Sequence, residues 1–421
     1  MDIQGKSNAF YRGEIVVALE HARTVSARLE ALGIPVRGPH ESEALGLALL
    51  GLYEDRLASA ADTVLRALPR VDQEHPPRFD TDLDRFLWAL RKFFAAEYAG
   101  WTPTLGKNRL VGNVVGGGTT GRISHGGGSN PRKVDPPVSS QLRPEPSRLR
   151  QPKRSGLRTT VGIVDTAVAP QPELVGGWVG GAADVLAGEP PYAAVAGHGT
   201  FVVGLVRSLA PGCVVKVRQV LSPDTGEADA WTVAQQIVEL GRTGLDVLNL
   251  SIVCYTEDGQ PPLVLASAID RLDPDIVVVA AAGNHGDVGE QPNPDRRKPA
   301  WPAALDDVVA VAAAGRDGSR PPLTPENAPW IDVCAPGMDV LSTYLTGAVD
   351  LDLAARPAKP ERFEGWARWD GSSFAAALVS GAIAARTDPG RVPAQQAWHD
   401  LLGTAEESKG GGPPFLRLPA P

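Results

Sequence analysis

Thr159-Thr-Val-Gly-Ile-Val-Asp165-Thr166 is an apolar run that ends in a carboxylate. It sets the pattern for the second half of the chain. Val214–Val220, Asp246–Val253, Ile276–Ala282 and Val308–Ala313 are further β-rich runs, and helical segments lie between or after them: one after His198, one around Trp231–Arg242, one around Leu263–Leu272 and one after Ser373. Near-continuous apolar strands alternating with helices predict an α/β fold, a doubly wound parallel sheet covered on both faces. Such sheets place ligands beyond the carboxyl ends of their strands. Asp165 and Asn284 fall there, while His198 and Ser373 open helices.

The neighbours of these residues are as informative as the residues. Val-Gly-Ile-Val-Asp165-Thr, Gly-His198-Gly-Thr, Ala-Ala-Ala-Gly-Asn284 and Asp-Gly-Ser-Ser373-Phe-Ala follow one another in that order. A serine hydroxyl is a weak nucleophile at neutral pH, so an imidazole must take its proton during attack and return it to the leaving group. A buried carboxylate must hold that imidazole in one tautomer and stabilise its charged form. Asp165, His198 and Ser373 supply acid, base and nucleophile. Asn284 and the backbone N–H of Ser373 are the candidate donors to the oxyanion, each such donor lowering the barrier by roughly 2.7–4 kcal/mol.

With these segments in hand, residues from about Thr159 to Leu402 resemble the peptidase domain of the subtilisin-like serine proteases. The order Asp, His, Ser separates that family from the chymotrypsin-like and α/β-hydrolase triads. Three more stretches agree: Asn249-Leu-Ser-Ile-Val253 with the family's substrate-pairing edge strand, Trp301-Pro302 with Val308-Val-Ala-Val-Ala312 after the oxyanion loop, and Asp332-Val-Cys-Ala-Pro-Gly337 with an Ala-Pro-Gly turn. The resemblance implies an endopeptidase that cuts protein or peptide substrates through an acyl-enzyme on Ser373. It also implies substrate contacts from Ser251, Ile252, Val253, Ala282 and Gly283. Arg296-Arg297-Lys298 precedes the Pro299-Ala300 pair, where family members line the specificity pocket. Arg297 there implies a preference for an acidic residue on the acyl side of the cut, and Val253 would narrow the pocket. Ala167, Ser372 and Ala377 stand where the family usually has Gly, Thr and Pro. Ser373 rather than Ser372 is the nucleophile, from its spacing to Gly371 and Ala375. The alternative is a catalytically silent, subtilase-like interaction or regulatory protein.

Length and composition bound the rest. At 421 residues with 43% hydrophobic content, the chain can form more than one core. A net charge of −8 argues against general nucleic-acid binding, and the basic run from Arg148 to Arg158 reads as a solvated linker. The glycines at 116–118 and 126–128 lack the Lys and the strand–helix setting of a phosphate loop. Cys213, Cys254 and Cys334 are few, odd in number and set in apolar runs, which reads as buried thiols rather than disulfides. The first residues lack a signal-peptide pattern and no apolar run is long enough to span a bilayer, so the expectation is a cytoplasmic protein without membrane contact. Asp350 and Asp352 do not form a spaced set of oxygen ligands. No metal and no cofactor are expected.

The expected organisation is an N-terminal α/β or helical domain over 1–110, a Gly/Pro/Ser/Arg-rich linker over 111–157, the peptidase domain over 158–405 and a tail over 406–421. In the first unit, Ile15–Leu19 reads as a strand, Val25, Leu29 and Leu32 as a helix ended by Gly33, and Ala44–Tyr53 as a strand with helix left open. Asp55–Leu68 and Asp82–Ala99 read as helices. This order loosely resembles family propeptides, which implies a regulatory or folding role and contact with the peptidase domain; a partner-binding adaptor is the equal alternative. Lys153-Arg154 is a candidate cleavage site, and Thr346–Trp369 an extra hairpin-like excursion beside the site.

Overall fold

The computed structural model describes residues 10–69, 77–113, 129–134, 157–286, 296–326, 328–351 and 360–419. The amino-terminal unit runs β1 (Phe10–Ala18), α1 (Leu19–Ala31), β2 (Arg37–Ser42), β3 (Leu47–Gly51), α2 (Leu57–Arg66), α3 (Asp82–Glu97) and β4 (Leu105–Asn113). A short strand, β5 (Arg132–Lys133), follows. The peptidase unit then runs β6 (Thr160–Asp165), β7 (Trp178–Val179), β8 (Tyr192–Ala193), α4 (His198–Leu209), β9 (Val214–Gln219), β10 (Glu227–Asp229), α5 (Ala230–Gly241), β11 (Val247–Leu250) and β12 (Ile252–Val253). It continues with α6 (Leu263–Ile269), β13 (Val277–Ala281), β14 (Val308–Ala314), β15 (Val333–Pro336), β16 (Val340–Asp350), β17 (Glu361–Trp369), α7 (Ser372–Arg386) and α8 (Ala394–Leu402).

The central sheet has the order β15-β14-β13-β11-β6-β9-β7, and every pairing in it is parallel. Alternation along its strands feeds two cores. Val161, Ile163, Val217 and Val279 pack with α4 and α7, whereas Val164, Leu248, Leu250 and Val278 pack with α5 and α6. Each fully buried side chain of this size stabilises the fold by about 1.5–3 kcal/mol relative to exposure. This is the doubly wound arrangement that the apolar runs predict. Helix α7 is buried along almost its whole length, because Ala375, Ala376, Ala377 and Gly381 let neighbouring backbone approach; a Cβ on Gly381 would lie 2.9 Å from the Val206 carbonyl oxygen.

In the amino-terminal unit β4, β1, β3 and β2 form an antiparallel sheet that is covered on both faces. Ile15, Val17 and Leu50 face Leu29, Phe86, Leu90 and Phe94 of its own helices. Val16, Leu47 and Val111 point the other way, into a core shared with Trp231, Ile237 and Leu265 of the peptidase unit. Ala44–Tyr53, left open between strand and helix, contains β3. Strand β4 lies outside the expected elements, and the boundary at residue 110 falls within it.

Most of the expected linker, including Lys153-Arg154, lies outside the described residues. Its described middle, Ser129–Val134, is docked rather than free-standing: β5 pairs antiparallel with β17 at the edge of a second sheet, β5-β17-β16-β8. The Thr346–Trp369 excursion consists of the ends of the long β16–β17 hairpin, with residues 352–359 outside the described set.

Candidate active site

Asp165 ends β6 and His198 begins α4, and the fold brings them together with both side chains fully buried. His198 Nδ1 lies 2.8 Å from Asp165 Oδ1 and 2.9 Å from Oδ2. A carboxylate only accepts, so Nδ1 carries the proton and Nε2 of the neutral ring is the acceptor. Thr166 N donates to Asp165 Oδ1 at 2.7 Å, and Thr166 Oγ1 accepts from Gly199 N at 2.9 Å, which ties the end of β6 to the first turn of α4. That approach requires glycine at 199, since a Cβ there would run into the Thr166 carbonyl oxygen. Trp369 stands edge-on to the imidazole with centroids 5.9 Å apart, and Phe374 lies 5.6 Å away at a tilt.

Ser373 is the second residue of α7 and is fully buried. Its Oγ lies 3.5 Å from the Ser251 carbonyl oxygen, and His198 Nε2 is buried without a hydrogen-bond partner. The His198 ring is thus aligned by Asp165 with no hydrogen bond to Ser373 in this state; such serine–imidazole bonds are often long before a substrate is bound. Neighbouring Ser372 Oγ is also buried and unpartnered.

Asn284 follows β13 through Ala282 and Gly283, the latter at φ +91, a conformation that favours glycine. Asn284 Oδ1 accepts from Ser372 N at 2.9 Å. This bond fixes which end of the amide accepts from Ser372 N, and the Nδ2 end lies against Gly371, where an added Cβ would be 3.0 Å away. The residue after it, His285, is held at both ring nitrogens: Nε2 is 2.9 Å from the Lys298 carbonyl oxygen and Nδ1 2.8 Å from Tyr255 Oη. A carbonyl cannot donate, so Nε2 holds the proton and Tyr255 donates to Nδ1.

Ser251 hydrogen-bonds to α7, while Ile252 and Val253 form β12, the strand that pairs with β4. A buried polar chain connects that edge to α7: Ser380 Oγ donates to Asn249 Oδ1 at 3.0 Å, Asn249 Nδ2 to Ser251 Oγ at 2.9 Å, and Ser251 Oγ to the Ser373 carbonyl oxygen at 3.0 Å. Ser380 had no place in the sequence reading; the one signal it offers is a polar residue inside an apolar helix. Arg297 is exposed in the turn before Ala300. Cys213, Cys254 and Cys334 are buried thiols, and burial pushes the Cys254 thiol up to about 12.

The edge strand is occupied. Strand β4 of the amino-terminal unit lies antiparallel between β10 and β12, with Gly112 opposite both Glu227 and Val253 and Asn113 opposite Ile252. Three side chains fasten it. Arg109 Nη2 is 2.9 Å and Lys107 Nζ 3.4 Å from the Glu257 carboxylate, both bases being almost fully buried. Asn108 Oδ1 accepts from Trp231 N at 3.1 Å, satisfying a donor at the start of α5 beside the cap from Asp229 to Thr232 N.

The fold and the Asp–His pair define a subtilisin-like peptidase domain, and comparison with known proteins agrees. The profile of the Subtilase family matches residues 156–407, more than half of the chain. The chain belongs to that family. Subtilisin DY of Bacillus licheniformis is 33% identical over 204 residues, covering 45% of this chain and 68% of its own length. Subtilisin BL of Lederbergia lenta is 29% identical over 199 residues, with 45% and 68% covered. Among solved structures, fervidolysin from Fervidobacterium pennivorans, described as a keratinolytic enzyme related to subtilisin, matches with a TM-score of 0.58 at 17% identity. That likeness of fold covers 97% of this chain, the amino-terminal unit included, while the chain spans 60% of fervidolysin.

Proposed function

We propose that the chain is a serine endopeptidase partly inhibited by its own amino-terminal unit. The observation that carries the reading is the buried Asp165–His198 pair, aligned with an unpartnered Nε2 beside the helix that begins Ser372-Ser373. Ser373 attacks the scissile carbonyl, His198 takes its proton and returns it to the leaving amine, and Asp165 stabilises the imidazolium. Asn284 Nδ2 and the backbone N–H of Ser373 stabilise the oxyanion. Ser251–Val253 pairs with the substrate backbone, and β4 now pairs with Ile252 and Val253, so β4 and a substrate compete for one edge.

An acidic preference on the acyl side belongs to the same proposal. Its support is the Arg296–Lys298 turn, which His285 ties to the Asn284 loop through the Lys298 carbonyl. A guanidinium there would pair bidentately with a carboxylate. A cleavage library should give acidic residues with the parent chain and lose that bias in Arg297→Ala; apolar preference in the parent chain refutes it. An intracellular location is proposed on the three buried thiols, which need no oxidising compartment. Recovery of the protein from medium rather than lysate would refute that.

The test of the activity is labelling by a fluorophosphonate, which reacts only with an activated serine. Parent chain should label and Ser373→Ala should not. Equal labelling of the two removes Ser373 from the mechanism.

A further inference from the structure

Ser129–Val134 lies far upstream of the nucleophile in sequence, yet it is built into the turn that presents it. Strand β5 pairs with β17, Arg132 opposite Arg368 and Lys133 opposite Ala367. From that edge Arg132 turns a fork of donors onto Asp370, Nη1 2.6 Å from Oδ2 and Nη2 3.0 Å from Oδ1. Ser129 Oγ donates to Oδ2 at 2.5 Å, and Asp339 N donates to Oδ1 at 2.6 Å. Asp370 is 8% exposed and stands three residues before Ser373, where β17 gives way to α7. Burial works to raise its carboxyl, but the hydrogen bonds from Arg132 and Ser129 hold it below the ordinary carboxylate value.

The same segment makes a second contact of consequence. Trp369 Nε1 donates to the Ser129 carbonyl oxygen at 2.5 Å. That indole is the ring set edge-on to His198, and it also lies 5.2 Å from Phe374, the residue after the nucleophile. One short piece of chain therefore grips both residues leading into the Gly371-Ser372-Ser373 turn. Exposed ion pairs contribute little. A bidentate pair on a carboxylate this buried belongs to the strong class and fixes geometry as well as energy.

We propose that Ser129–Lys133 is an intrachain strap that sets the nucleophile turn, with Arg132 a positioning residue for Ser373 acting through Asp370. The inference rests on the reading of Ser373 as nucleophile. It implies that the competent peptidase includes the chain from Ser129 onward. A cut at Lys153-Arg154 would leave the strap on the departing piece.

The experiment uses the full chain with Arg132→Ala, Arg132→Lys and Ser373→Ala. Rates of fluorophosphonate labelling, kcat and KM on a short chromogenic peptide, the pH profile of kcat and the urea midpoint are measured for each. Because small misplacements of reacting groups cost up to roughly 100-fold in rate, Arg132→Ala should lower labelling and kcat by about tenfold or more with KM within about twofold. Its acid limb should move to higher pH, since Asp370 loses the partner that keeps it ionised. Arg132→Lys should recover only part of kcat, an ammonium being unable to make the fork. Unchanged kcat and acid limb in Arg132→Ala overturn the proposal, as does a loss of activity that only tracks a lowered urea midpoint in both variants. If the parent chain labels no faster than Ser373→Ala, the peptidase reading fails and the strap falls with it; that outcome is distinct, because it shows in the parent chain.

Discussion

Gly112, next to last in β4, stands opposite Val253, the last residue of the peptidase edge strand, and opposite Glu227 on its other side. A single strand of the amino-terminal unit thus fills the slot between two strands of the catalytic unit, one residue in sequence from the ladder position of Asn113 and Ile252. Backbone pairing on both sides is independent of side-chain identity, so this slot suits any extended peptide.

Disturbing that pairing should release activity. Gly112→Pro removes a backbone N–H in the middle of the slot, which a paired central strand does not tolerate. Turnover of a short peptide by the full chain should rise several-fold over the parent chain, with Ser373→Ala as the background. Turnover equal to the parent chain's would show that β4 does not inhibit the enzyme.

Docking of the amino-terminal unit should weaken in acid. Burial works to raise the Glu257 carboxyl, but Arg109 first, and Lys107 with it, bring it below its ordinary value. A depressed carboxyl contributes docking stability that is complete above its ordinary pKa and is lost as pH falls through the lowered one. Limited proteolysis of β4 should therefore accelerate on going from neutral pH to below about pH 4. Glu257→Gln should give fast cleavage already at neutral pH and flatten the dependence, at a cost of about 2 kcal/mol in docking.

Ser380→Ala tests the buried chain from α7 to the edge strand. It leaves Asn249 Oδ1 without the 3.0 Å donor and should destabilise the peptidase unit by roughly 1–3 kcal/mol in urea unfolding. Ser251 should lose its fixed orientation as well, raising KM for peptides more than it lowers kcat. No change in unfolding would mean that another group takes over the Asn249 acceptor.

Gly199→Ala bears on the acid–base pair. The added methyl meets the Thr166 carbonyl, a backbone group that cannot swing aside, so α4 must shift relative to β6. The expected outcome is a loss of about 1–3 kcal/mol in stability together with a kcat reduced about 100-fold, as His198 leaves its alignment. Near-normal kcat would show that the pair tolerates movement at its base.

The central sheet and the residues at its carboxyl ends were legible in the sequence because their signals are local. Continuous β-branched runs specify buried parallel strands wherever they occur, and Asp165, His198, Asn284 and Ser373 each carry their own neighbours as a signature. Strand β4 was not legible. Leu105-Gly-Lys-Asn-Arg-Leu-Val-Gly-Asn113 has two glycines and four polar residues without alternation, and it becomes a strand only because β1, β10 and β12 offer it backbone partners. Its Lys107 and Arg109 look solvated in sequence and are buried because Asp84, on α3, and Glu257, far along the chain, neutralise them. Ser129 and Arg132 likewise look like linker, and only the buried Asp370 carboxylate gives them a place. The sequence by itself determined the fold class and the family, since periodicity and motif are short-range properties. Tertiary structure alone decided that the amino-terminal unit occupies the edge strand, and that a stretch of apparent linker grips the nucleophile turn, because both depend on partners supplied by residues more than a hundred positions away.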